Sequence, residues 1–230
     1  MKYVLILLLF VTNFVIAQSG QVVYSVQISP NANDKKFEHK DFIAKLIEKA
    51  TSQQFLLVFN ATRSNFKMNE GMNNVSAYDD KIINIAKLAF TSSSDIYYDK
   101  ENQIEFSKKT DGTILKNTTL NTNWEIQTES KIISSYLCYK AVLKIPFVNR
   151  KGEARVNEIT AWFAPSLPYS FGPKHFYGLP GLILETTENK TTFLATKITF
   201  DSNEVKIDFP KGKTITKEDY DKKLRAQMGM

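Results

Sequence analysis

The chain has 230 residues, of which 30 are Lys or Arg, 24 are Asp or Glu, and one is Cys. This length fits one domain that buries a sizeable core, and the scarcity of Gly and Pro excludes collagen-like and wholly disordered chains. A single Cys excludes an internal disulfide and every multi-cysteine zinc or iron–sulfur site. With only two histidines, His39 and His175, we expect no metal and no cofactor.

The N-terminus has the pattern of an export signal. Lys2 precedes an apolar run from Val4 to Val11, and the small-tolerant positions Val15 and Ala17 follow. This order is typical of a signal peptide cleaved after Ala17. A membrane anchor is the alternative, but the run is shorter than the ~20 residues of a spanning helix. We therefore expect residues 1–17 to be removed and residues 18–230 to form one domain in the periplasm or outside the cell, without a transmembrane segment.

The excess positive charge is spread along the chain. Lysine pairs at Lys35-Lys36, Lys108-Lys109 and Lys222-Lys223 each lie beside Asp or Glu. Such runs are typical of solvated faces. The charge pattern therefore predicts no nucleic-acid partner.

Alternating apolar side chains predict a series of short strands after the signal peptide. In chain order the predicted strands cover residues 21–29, 55–59 with a continuation at Phe66 and Met68, 95–99, 103–108, 113–120, 124–128, 137–147, 153–163, 182–187, 191–200 and 204–209. Helical spacing predicts a helix over 40–53 and a short one over 81–90, with a loop at 71–80 between strand and helix. Thr216, with Asp219 three residues later, predicts the cap of a last helix over 217–227.

About ten short strands joined by few residues imply an antiparallel meander. The apolar stripe of the first helix requires a sheet to cover it. The predicted fold is therefore mainly β or α+β: a strongly curved, largely antiparallel sheet, forming an open half-barrel with one or two helices on its concave side.

Common catalytic motifs such as G-x-S-x-G, H-E-x-x-H and the phosphate-binding Gly-rich loops do not occur in the sequence. Cys138 with His175 or His39 offers a nucleophile and a base, because a thiolate forms most readily beside a base. However, Cys138 lies in a strand pattern where a small apolar thiol packs well. A cysteine-dependent hydrolase is thus an alternative to a buried, inert thiol.

Residues 164–183 hold four of the seven prolines and three of the nine glycines, with four aromatic residues between them. Proline fixes φ and glycine opens other backbone angles, so this loop is expected to hold one defined shape. Two interpretations are open. The loop is either a packing plug, in which Phe171, Phe176 and Leu179 close one end of the sheet, or a rigid lip around a ligand pocket.

The same loop carries a family resemblance. The segment Gly178-Leu179-Pro180-Gly181-Leu182-Ile183 resembles the signature of the GLPGLI family of exported bacterial proteins. Similar features follow the family's order upstream: Trp124-Glu125-Ile126, the segment from Tyr136 to Ala141, Ala161-Trp162-Phe163-Ala164, and Gly172-Pro173 before Phe176. The resemblance implies export. It implies no reaction, cofactor or catalytic residue, because the family has none established.

These observations predict a non-enzymatic binding or assembly module of the cell envelope, which binds an apolar small molecule or lipid, or an envelope protein. The candidate binding or structural residues are Trp124, Tyr136, Cys138, Trp162, Phe171, Gly172, Pro173, Phe176, Gly178, Leu179, Pro180 and Gly181. The alternatives are the hydrolase described above and a purely structural partner of an outer-membrane complex. A hollow concave face favours a ligand, and a filled one favours a protein partner.

Overall fold

The computed structural model describes residues 19–29, 40–69, 77–149 and 152–227. Within these ranges the strands are β1 (Ser19–Ile28), β2 (Gln54–Asn60), β3 (Arg63–Met68), β4 (Ser94–Asp99), β5 (Ile104–Lys109), β6 (Ile114–Asn117), β7 (Glu125–Ile133), β8 (Tyr136–Val148), β9 (Ala154–Ala164), β10 (Leu182–Glu188), β11 (Thr191–Asp201) and β12 (Thr214–Thr216). The helices are α1 (Lys40–Thr51), α2 (Ala77–Phe90) and α3 (Lys217–Gln227). The predicted signal peptide, His39 and most of the predicted 71–80 loop lie outside the described residues.

The strands form one open sheet in the order β12-β6-β5-β4-β3-β2-β1-β11-β10-β9-β8-β7. All neighbouring strands are antiparallel except β12, which runs parallel to β6. The prediction of a mainly β, largely antiparallel open sheet is thus confirmed.

Strong curvature brings distant strands of this sheet together. Eight strand steps separate β5 from β8, which is ~38 Å in a flat sheet at about 4.8 Å per step. Nevertheless, Glu105 on β5 and Leu143 on β8 line the same cleft. The sheet therefore curls so that its two ends face each other across the inner face.

The inner face is filled by a core of aromatic and aliphatic side chains. Alternate residues of β1, namely Val22, Tyr24 and Val26, point into it, as their period of two requires. The same cluster includes Phe59 of β2 and Phe171 of the segment between β9 and β10. We call that segment, residues 165–181, the β9–β10 loop.

The first two helices pack on each other and on the inner face. Leu46 and Ala50 of α1 meet Ile82 and Ala86 of α2 in a separate small cluster. Ile28 of β1 borders both this cluster and the main core, which places the helix pair on the core side of the sheet. None of the helices within the described ranges is long and apolar enough to cross a bilayer.

Some predicted boundaries, and one predicted strand, differ from the structure. Helix α2 begins at Ala77, inside the predicted 71–80 loop, and Asp79 and Asp80 in its first turn favour the helix dipole. Strand β7 extends to Ile133, beyond the predicted end at residue 128, and β6 ends at Asn117, before the predicted end at residue 120.

The predicted strand at 204–209 is wrong, because the structure shows an irregular segment there. Its alternation arises from packing, because Phe209 contacts the rings of Tyr97 and Phe106, and Arg63 lies over the Phe209 ring. The short strand that does form here is β12, at residues 214–216. Helix α3 follows it as predicted, and the Thr216 hydroxyl accepts a hydrogen bond from the Asp219 backbone N–H at 3.1 Å.

Candidate functional site

The β9–β10 loop is fixed to the sheet by backbone hydrogen bonds. The N–H of Leu182 donates to the Leu167 carbonyl at 2.9 Å, and the N–H of Ile183 donates to the Phe171 carbonyl at 3.0 Å. Within the loop, the N–H of Gly178 donates to the Ser170 carbonyl at 3.0 Å. These hydrogen bonds satisfy backbone groups of the loop that would otherwise need water molecules as partners.

Two glycines allow the close approach of this loop to its neighbours. A Cβ at Gly172 would lie 2.6 Å from the Phe176 carbonyl oxygen, and a Cβ at Gly181 would lie 2.3 Å from the Ala164 carbonyl oxygen. Both distances are far below van der Waals contact with backbone atoms. The loop therefore requires glycine at these positions for packing, whereas Gly178 has a φ of 91°, which favours glycine for its backbone angle.

The loop places His175 and Tyr177 on a buried carboxylate of β5. Glu105 is 1% exposed, and its Oε2 lies 2.8 Å from Nδ1 of His175. The Tyr177 hydroxyl donates to the same oxygen at 3.1 Å, and the Ser107 hydroxyl donates to Oε1 at 3.4 Å. The Tyr98 ring stacks on the Tyr177 ring with centroids 3.8 Å apart. Three hydrogen-bond donors thereby stabilise the negative charge of Glu105, which burial alone would disfavour.

These contacts set the ionisation of the carboxylate. Burial acts to raise the pKa of Glu105, but the charge of His175 and the hydrogen bonds from His175, Tyr177 and Ser107 outweigh it. The net result is a pKa below the ordinary value of a Glu. Burial and the neighbouring carboxylate raise the pKa of Tyr177, so its hydroxyl remains a donor. Glu105 is therefore an ionised acceptor at neutral pH.

This group opens onto a cleft of about 520 Å³. One wall is apolar and comes from β8 and β9: Leu143, Ile145 and Phe147 share one face of the sheet, and Val156, which also lines the cleft, is paired with Pro146 on the other face. The polar lining comes from β5, β6, the segment that follows β6 and the β9–β10 loop: Glu105, Asn117, Asn121 and His175. The far end holds Asn157, Glu188 and Asn189, and Lys217 also lines the cleft. The volume lies within the usual range for small-molecule sites.

The charge at the far end is paired. The carboxylate of Glu188 forms an ion pair with Lys174 and accepts a hydrogen bond from the Asn157 side chain at 3.1 Å. Lys174 belongs to the β9–β10 loop, so this ion pair fixes the loop to the end of β10. The loop is thus held at both sides of the cleft.

The predicted site residues separate into two groups. Trp124 and Phe176 lie together beside the cleft, with ring centroids 6.2 Å apart, and the Trp124 indole N–H donates to the Tyr177 carbonyl at 2.9 Å. Leu179 belongs to the same cluster. By contrast, Tyr136, Cys138 and Phe171 contribute to the main core, and Trp162 lies beneath the Lys131 ammonium at 4.3 Å.

The remaining candidates define the loop backbone. Pro173 is buried at a turn in which the Phe176 N–H donates to its carbonyl at 3.2 Å. Pro180 is exposed between the buried residues Leu179 and Gly181. Of the twelve sequence candidates, therefore, only Phe176 lines the cleft, and Trp124 supports it from behind.

The surroundings of Cys138 favour the structural role. Its thiol is buried in the main core and donates to the Tyr136 carbonyl at 3.5 Å. Burial raises the pKa of the Cys138 thiol to about 11, against the weaker opposing effect of the Ile133 backbone and the Lys131 charge. Nδ1 of His175 is bonded to Glu105, and Cys138 does not line the cleft.

Glu105 and its partners were not among the residues predicted from the sequence, although the sequence contains one signal for Glu105. Glu105 and Ser107 occupy the inward positions of β5, while Ile104 and Phe106 face the other side. A carboxylate at an inward strand position requires a partner, because a buried charge is paired or bound to a metal. Its partners on the β9–β10 loop are about 70 residues away, and no local pattern connects them.

Residues 149–185 match a family described as a protein of unknown function (Porph_ging). This stretch includes β9 and the whole β9–β10 loop. No curated protein matches the chain significantly.

Among solved structures, PNGF-II in its P21 crystal form is similar to 90% of this chain, with a TM-score of 0.53 and 16% identity. Its C2 crystal form is similar to 80% of the chain, with a TM-score of 0.48 and 17% identity. The chain spans only 33% and 28% of the respective PNGF-II chains. At this identity the likeness to the P21 form shows the β-rich fold alone.

Proposed function

We propose that the protein is a non-enzymatic binding module of the cell envelope, and that an amphipathic ligand lies in the cleft with its apolar part on the β8–β9 wall. The observation that carries this proposal is an apolar strip along β8, in which Leu143, Ile145 and Phe147 line a cleft of about 520 Å³ and Phe147 is 47% exposed. Exposed apolar side chains grouped in a concave site are typical of ligand contacts. The core fills much of the inner face, which by the criterion above supports a protein partner, so the ligand proposal is confined to the cleft left open between β5 and β8.

Export and family membership belong to the same proposal. Lys2, the apolar run and Ala17 support a cleaved signal peptide and a location in the periplasm or outside the cell. The segment from Gly178 to Ile183 supports membership of the GLPGLI family.

The binding proposal is tested with N-phenyl-1-naphthylamine, an uncharged dye whose fluorescence rises in apolar surroundings. We expect the mature chain to bind the dye, and Phe147→Ser to weaken binding about fivefold because it removes apolar contact area. Ile132→Ser is the matched control, since Ile132 is 74% exposed but lies on β7, away from the cleft. Equal weakening by both variants, or no dye binding, would refute the proposal. Native mass spectrometry after incubation with a bacterial lipid extract gives a second readout.

Assembly with an envelope protein is the second candidate. Ile132 on β7 is paired across the strands with Leu137 on β8, and both side chains are exposed at one edge of the sheet. A photo-crosslinking residue at position 132, compared with one at position 205, where Val205 is also exposed, tests this function in the native host. A discrete adduct from position 132 alone is expected, and identical patterns from both positions would contradict it.

A further inference from the structure

His175 has one ring nitrogen bound within the protein and one left for a ligand. Nδ1 lies 2.8 Å from Glu105 Oε2, and the side chain is 47% exposed where it lines the cleft. An ionised carboxylate only accepts hydrogen bonds, so Nδ1 carries the proton. Nε2 is therefore the ring nitrogen left for the cleft, where it accepts a hydrogen bond from a ligand when the ring is neutral and donates one when the ring is charged.

The charges that line the cleft already have partners. Glu105 is bonded to His175 and Tyr177, Glu188 is paired with Lys174, and Lys217 is paired with Asp221 at 3.0 Å. The other polar side chains at the cleft surface are the carboxamides of Asn117, Asn121, Asn157 and Asn189. An ionic ligand group would lose hydration here without gaining an unpaired opposite charge. An uncharged polar group finds both donors and an acceptor.

From this arrangement, and resting on the proposed function, we infer that the cleft selects an uncharged amphiphile whose hydroxyl or amide group, able both to donate and to accept, hydrogen-bonds to Nε2 of His175. The ligand class is that of acylglycerols and related neutral lipids, with the acyl chain on Ile145 and Phe147. Glu105 is a positioning residue, because it fixes the orientation and tautomer of the imidazole without reaching the ligand. Fatty acids of the same chain length are the disfavoured class.

A conservative substitution distinguishes a purely structural role of the Glu105–His175 contact from a role in ligand binding. In His175→Asn, the side-chain amide N–H takes the approximate place of Nδ1–H and still donates to Glu105, so the loop keeps this tie to β5. The substitution removes Nε2, which faces the ligand in our proposal. A structural role predicts that His175→Asn binds ligands like the parent chain, whereas the proposed role predicts a loss of selectivity.

The experiment compares 1-monolauroylglycerol with laurate, which share one acyl chain, by displacement of N-phenyl-1-naphthylamine at neutral pH and below micelle formation. We expect the parent chain to bind the acylglycerol about tenfold more tightly than laurate. His175→Asn is expected to weaken acylglycerol binding about fivefold to tenfold relative to laurate, with an unchanged thermal midpoint.

Two results would refute this inference without refuting the proposed function. Dye binding that depends on Phe147, together with equal or tighter binding of laurate, shows a cleft that selects an anion or does not select. Full acylglycerol selectivity in His175→Asn shows that the imidazole only ties the loop to β5. Absence of dye binding in the parent chain refutes the proposed function as well, which distinguishes the two failures.

Discussion

The hydroxyl of Tyr24 donates a hydrogen bond of 2.6 Å to the carbonyl oxygen of Ile183, across 159 residues of sequence. In β10, pairing with β11 extends only over Glu185–Glu188, so the start of β10 lacks that neighbour. The β9–β10 loop and the Tyr24 side chain take its place, since Phe171 accepts from the Ile183 N–H and Tyr24 donates to the Ile183 carbonyl. A side chain of β1 therefore completes the hydrogen bonding where the loop enters the sheet.

Tyr24→Phe tests this contact. Tyr24 is fully buried, and burial raises the pKa of its hydroxyl, so the group remains a donor throughout the accessible pH range. Removing it leaves the Ile183 carbonyl without its partner at nearly unchanged side-chain volume, and we expect the free energy of unfolding to fall by about 1–3 kcal/mol. Urea denaturation followed by fluorescence measures the change.

Tyr139→Phe is the matched control, because Tyr139 is only partly buried on β8. We expect it to change the free energy of unfolding by less than about 0.5 kcal/mol. Equal effects of the two substitutions would mean that the Tyr24 hydroxyl makes no special contribution to the loop junction.

Gly181→Ala tests the close approach of the loop to β9. The added Cβ would lie 2.3 Å from the Ala164 carbonyl oxygen and 2.9 Å from the Pro165 nitrogen, both backbone atoms. Because backbone must move to relieve this overlap, we expect a loss of about 3 kcal/mol or more in the free energy of unfolding. Differential scanning calorimetry then gives a clearly lower thermal midpoint than in the parent chain.

The comparison variant is Gly112→Ala. Gly112 has a φ of 84° but no atom within 4 Å of an added Cβ. Its substitution has only the backbone cost of a left-handed alanine, about 1–2 kcal/mol. A Gly181→Ala variant as stable as Gly112→Ala would show that the loop moves away from β9 easily.

The sheet was predictable from the sequence because its signal is local. In β1 the alternation of Val22, Tyr24 and Val26 with polar neighbours follows directly from the period of two, and the buried pattern matches it. The same rule was misleading at residues 204–209, where Ile207 is buried without strand pairing. Alternation reports which side chains are covered, and a segment lying across a sheet face produces it as well as a strand does.

The site was not predictable in the same way because its contacts are non-local. Glu105 on β5 meets His175 on the loop between β9 and β10, which lie seven and six strand steps from β5, and the curl that brings them together is not encoded in either segment alone. The aromatic residues of the loop predicted a functional site there, but most of their side chains are buried in packing contacts. Phe171, for example, is 1% exposed and contacts the rings of Phe59 and Tyr98.

Glu105→Gln tests the charge of the buried carboxylate through its pH dependence. The folded pKa of Glu105 is below its ordinary value, so the unfolded state binds more protons as the pH falls. Its stabilising contribution is therefore complete above the unfolded pKa of about 4.3 and is lost as the pH falls through the lower folded pKa. We expect Glu105→Gln to lower the free energy of unfolding by about 1–3 kcal/mol at neutral pH, and this deficit to shrink in acid.

Urea denaturation at a series of pH values from neutral to about pH 3 measures this difference, within the range where Glu groups titrate. Glu101→Gln, in the exposed turn before β5, is the control for a change of net charge alone. A constant deficit at every pH would indicate that Glu105 stabilises the fold by shape and not by charge.

Thiol labelling at Cys138 separates the structural role of the thiol from the hydrolase alternative. Cys138 is the single cysteine, so the release of thionitrobenzoate from Ellman's reagent reports on one site. The raised pKa of about 11 leaves few thiolates at mildly alkaline pH, and the thiol is buried as well. Since the thiolate is the reacting species, we expect labelling of the folded chain at least about 100-fold slower than of the urea-unfolded chain. Cys138→Ala should bind N-phenyl-1-naphthylamine like the parent chain, because Cys138 does not line the cleft. Rapid labelling of the folded chain would instead place a reactive thiolate within reach of solvent and would support the cysteine-dependent chemistry.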